Sequence, residues 1–137
     1  MLDKESAMKA RTKDHLFTAM HGEAFAYAKF MLYADHARAG GNAELAALFE
    51  ETAKVEFFKH FAEEAKLAGL VGKDADNLKD AIKGEDLEAK TVYRKFAEEA
   101  EALGDLEVAR HFAEVRRAES VNSTAFGAAL EKLESVT

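Results

Sequence analysis

The stretch Asn42–Glu56, NAELAALFEETAKVE, returns as Asp105–Glu119, DLEVARHFAEVRRAE, and this repeat decides how the chain is organised. Glu44/Glu107, Ala46/Ala109, Phe49/Phe112, Glu51/Glu114 and Glu56/Glu119 are identical, and a second echo pairs Gly22-Glu23 with Gly84-Glu85. Apolar residues in both copies recur three and four apart, the spacing of one helix face. A turn signal precedes each copy, Gly40-Gly41 before Asn42 and Gly104 before Asp105, of the kind that ends one helix and caps the next. The repeat predicts two helical hairpins.

Working outward, helix one is predicted from about Thr12 to Ala39 and helix two from Asn42 to about Ala68. A Gly- and Asp-containing stretch from Gly69 to Asp76 then carries the chain across, with a short helix over Asn77–Lys83. Helix three covers about Glu85–Leu103, and helix four runs from the Asp105 cap toward Ser135. The chain lacks proline and is rich in Ala, Glu, Lys and Leu, which favours long uninterrupted helices. The expectation is one all-α domain over residues 1–137, a four-helix bundle with a long crossover between helices two and three.

Composition limits the chemistry. A formal charge of -7 argues against nucleic acid or an anionic membrane as partner. With no cysteine, disulfides, thiol catalysis, thiolate-bound zinc and a built-in iron–sulfur centre are excluded from these residues, so any electrons come from outside. Polar residues interrupt every apolar run before it reaches membrane-spanning length, and the N-terminus lacks the order of a signal peptide, so a cytoplasmic protein is expected.

Four glutamates interrupt the apolar stripes. Leu16, Ala19, Met20, Ala26, Tyr27, Phe30 and Met31 share a face with Glu23; Leu45, Leu48, Phe49, Thr52 and Ala53 with Glu56. Val92, Phe96 and Leu103 surround Glu85, and Val108, Phe112, Val115, Phe126 and Leu130 surround Glu119. An unpaired buried carboxylate costs several kcal/mol or gives up its charge, so four of them call for cations, shared protons or hydrogen bonds.

The stretches that carry a resemblance are Gly22-Glu23, Phe49–Ala53, Asn77–Lys79 through Ala81–Glu85, Glu88, Tyr93, Phe96-Ala97, and Ala118-Glu119 with Phe126. In these the chain resembles the rubrerythrins, ferritin-like proteins associated with peroxide reduction, over nearly its whole length. The resemblance implies a ferritin-like bundle holding two iron or manganese ions, with Glu23, Glu56, Glu85, Glu88 and Glu119 as ligands. Glu56 and Glu119 would bridge the ions, Glu23 and Glu85 would be terminal, and Glu88 would swing on redox change. Tyr93 would hydrogen-bond oxygen species. A homodimer, with helix exchange possible between subunits, and an external electron-donor protein are implied as well.

Two positions depart from the pattern. Such bundles take a Glu-x-x-His pair from each of two helices, yet Lys59 stands three residues after Glu56 and Asn122 three after Glu119. A protonated ammonium is no ligand, and an amide oxygen is a weak neutral one. Either metal still binds, with His60 four residues after Glu56 and Glu63 on the same side joining a carboxylate-rich site. Or the site is metal-free, with Lys59 and Arg116 as fixed cations, in a structural or non-enzymatic bundle.

Overall fold

The computed structural model describes residues 8–136, which fold into four helices with no strand among them. Helix α1 is Ala10–Ala39. Helix α2 runs continuously through Ala43–Val55, a π-helical turn at Glu56–Phe61, and Ala62–Ala68. Helix α3 is built the same way from Asp74–Leu87, a π turn at Glu88–Val92, and Tyr93–Ala102. Helix α4 is Leu106–Ser135. The all-α reading holds, whereas the reading of the N-terminus concerns residues 1–7, outside those described.

Between α2 and α3 the connection is only residues 69–73, shorter than the stretch expected from Gly69 to Asp76. Asn77–Lys83 is no separate helix but the first part of α3. The cause is a side-chain staple. Asn77 Oδ1 accepts from the Gly72 amide at 2.8 Å and its Nδ2 donates to the Gly72 carbonyl at 3.0 Å, which secures the chain where it enters the helix. No described helix is long and apolar enough to cross a membrane.

The chain divides after Val71 into two compact units, each a helical hairpin. Both tight turns use one device. Gly41 and Gly104 take left-handed backbone angles, φ 83° and 86°, which lets Asn42 donate to the Ala37 carbonyl and Asp105 to the Ala100 carbonyl. Asn42 then caps α2 by accepting from the Leu45 amide at 3.1 Å, whereas Asp105 holds the equivalent position before α4 without a side-chain bond.

Inside the first hairpin, Ala34, Ala37 and Ala46 are buried where α1 and α2 approach, and Phe49 packs on them. Phe30, Tyr33 and Phe49 form an aromatic cluster with centroids 5.3–6.3 Å apart. The second hairpin repeats that cluster with Tyr93, Phe96 and Phe112 at 5.6–6.0 Å. Such ring pairs contribute about 0.5–1.5 kcal/mol beyond their buried area.

Candidate metal centre

In the first hairpin α1 supplies Glu23, and α2 supplies Glu56 and His60 from its π turn. His60 Nδ1 lies 3.5 Å from Glu23 Oε2 and 3.6 Å from Glu56 Oε2. The two carboxylates are about four-fifths shielded, with 22% and 20% of their side chains exposed, while the imidazole is 51% exposed. The local backbone explains why His60 reaches them. A π turn closes i→i+5 bonds and so encloses one residue more than an α turn, which keeps the residue four positions after Glu56 on the carboxylate face and turns Lys59 away.

Lys59 is exposed and makes no ion pair to a described residue. The same one-residue shift acts further along α2. Glu63, expected on the site's side, is exposed, and Glu64 takes its place with an oxygen that is shielded and without a hydrogen-bond partner.

Glu23 is held above its ordinary value of 4.5, first by a shared hydrogen bond with Glu56, then by burial and the charges of Glu56 and Glu64, against a smaller lowering by His60. A carboxyl whose folded pKa is raised contributes stability that is complete below the unfolded value and is lost as pH rises through the folded one. With chelator present, denaturant midpoints should therefore rise as pH falls from 7 toward 4.5. Glu23→Gln should flatten that rise and Lys59→Met should leave it unchanged; a Lys59→Met protein that loses stability at neutral pH would restore lysine as the internal cation.

In the second hairpin, Glu85 and Glu88 of α3 meet Glu119 of α4, with one ligand atom of each lying within 4.8 Å of the others. One oxygen of Glu85 and one of Glu119 are shielded and have no hydrogen-bond partner. Glu88 opens the π turn of α3, and Tyr93 follows it, its ring against Phe96 and Phe112. Arg116, proposed from the sequence as a second internal cation, has another task. Its Nε donates to the Ala89 carbonyl at 2.7 Å and so completes the hydrogen bonding of the π turn. Beside the triad, the Ser123 hydroxyl donates to Asp86, and this bond, more than the Lys90 ammonium 3.6 Å away, holds Asp86 below its ordinary value of 3.8. Asp86 thus loses its contribution only as pH falls below 3.8, under the window in which Glu23 acts. Asn122 is exposed on regular α-helix.

Each hairpin thus joins its two inward glutamates, Glu23 with Glu56 and Glu85 with Glu119, and adds the neighbours that complete a triad. Three shielded carboxylate oxygens without partners, on Glu64, Glu85 and Glu119, are the donors that a hard divalent cation requires, so the residues fit a metal. Glu64 and the π turns were missed from the sequence, although a signal was there. The repeat offset is 62 residues at Glu23/Glu85 but 63 at Phe30/Tyr93, Tyr33/Phe96 and Ala37/Ala100, an extra residue in α3 across the span that contains its π turn.

Comparison with known proteins finds that the rubrerythrin family model matches residues 14–130. A rubrerythrin from Porphyromonas gingivalis is 32% identical over 143 aligned positions, which cover 95% of this chain and 71% of the relative.

Proposed function

Since the chain belongs to the rubrerythrin family, we propose that it is a dinuclear metal oxidoreductase acting on peroxide or dioxygen, each hairpin supplying one metal-binding triad. The observation that supports this most strongly is the pair of triads, Glu23/Glu56/His60 and Glu85/Glu88/Glu119, on helices related by the internal repeat. Membership of the family supports a di-iron type of oxidoreductase in broad terms. Bound iron or manganese would supply the electrons for reducing an O–O bond.

The chain's own groups would hold and tune that centre. Glu56 and Glu119 occupy matching positions of the repeat and would hold both ions, with Glu23 and Glu85 each holding one. His60 takes the role that the family pattern gives to a histidine three residues after the glutamate. Glu88, at the start of a π turn, is assigned the ligand movement on redox change, in keeping with the frequency of π turns at functional sites. Tyr93 is assigned to hydrogen-bond the oxygen substrate. These residues contain no cysteine, so electrons would arrive from a donor outside them.

Assembly as a cytoplasmic homodimer belongs to the same proposal. Phe25, Leu32 and Phe58 are 65–69% exposed on the first hairpin, and Leu103 and Val121 are 80% and 68% exposed on the second. Apolar surface of this extent calls for a packing partner. The activity is tested by adding hydrogen peroxide to chemically reduced, metal-loaded protein. Peroxide loss that depends on loaded metal is expected; equal loss with stripped protein would reject the assignment.

A further inference from the structure

We infer that the two triads are unequal metal subsites, the first selecting a borderline transition ion and the second a hard ion such as manganese. This rests on the dinuclear reading above and follows from the donors that each hairpin offers. In the first, an imidazole nitrogen lies within 3.6 Å of both carboxylates, and the unpartnered oxygen of Glu64 is on the same helix. Imidazole strengthens binding of iron, cobalt or zinc more than of manganese or magnesium, whereas an all-carboxylate set suits the harder ions.

The second hairpin's own described residues place no imidazole in its triad. Its one histidine, His111, is eight residues before Glu119 on α4, about 12 Å along the helix axis. Asn122 holds the Glu-x-x-His position on this helix, and Ser123 is engaged by Asp86. Its triad therefore offers three carboxylates alone. The asymmetry traces to sequence: the π turn of α2 recovers a histidine that α4, regular throughout, lacks.

The test is a titration of the chelator-stripped full chain with cobalt(II), followed by heat and by the visible absorption of the bound ion, and then by manganese(II) competition. Two equivalents per chain are expected, the first at least about tenfold tighter, with manganese displacing only the second. His60→Ala should reduce the first step to the level of the second. Asn122→His should raise the second toward the first, a gain that misfolding cannot imitate. Two equal steps, or a His60→Ala protein in which both steps weaken alike, would overturn the inequality and leave the dinuclear centre standing. Fewer than two equivalents would overturn the dinuclear reading itself.

Discussion

Glu56→Ala and Glu119→Ala should each reduce bound metal from two ions per chain to less than one, since each side chain is assigned to both ions of a dinuclear site. No other single change is expected to act so strongly. The loss should come without unfolding. Glu119 carries a shielded oxygen with no partner, so truncating it in metal-free protein removes an uncompensated group rather than a favourable contact. Stability of Glu119→Ala in chelator should be unchanged or higher, as measured by urea denaturation. Metal stoichiometry equal to that of the unaltered chain in either variant would remove the residue from the centre.

Arg116→Met should lower stability by about 1–2 kcal/mol, the effect of losing a partly shielded hydrogen bond from a charged donor. The helix carrying Glu85 and Glu88 depends on that bond, because a π turn leaves a carbonyl without its usual backbone donor. Metal affinity at Glu85, Glu88 and Glu119 should fall in parallel, about tenfold or more, as expected for a group that orients ligands without touching the ion. Arg116→Lys should recover part of both, since an ammonium can still donate to Ala89. An Arg116→Met protein with an unaltered denaturation midpoint and unaltered metal affinity would show that the π turn holds itself.

Local signals made much of the fold legible. The repeat, the Gly40-Gly41-Asn42 and Gly104-Asp105 turns and the absence of proline placed four helices and both tight turns correctly. The start of α3 was missed because its staple links Asn77 to Gly72, a contact that composition does not reveal. At the site, the apolar stripe around Glu23 identified a shielded face, with Met20 3% exposed. The Glu56 stripe was less faithful, since Leu48 is 59% exposed.

Periodicity failed where the helix stopped being α. A fixed 3.6-residue spacing leaves both Lys59 and His60 near the carboxylate side and adds Glu63, whereas the π turn of α2 leaves His60 beside Glu56 and Glu64 shielded in place of Glu63. The internal-cation reading of Lys59 rested on that spacing, and Lys59 is exposed with no ion pair to a described residue. Arg116 was recognised as important, but for its charge rather than for the carbonyl that it satisfies.

In the proposed function these carboxylates hold metal. Elemental analysis of protein purified without added metal, after gel filtration in chelator-free buffer, tests this most directly. About two iron or manganese ions per chain are expected, removable by chelator with a fall in thermal stability that their return reverses. Protein that emerges metal-free, and whose thermal stability does not change on adding iron or manganese, would contradict it.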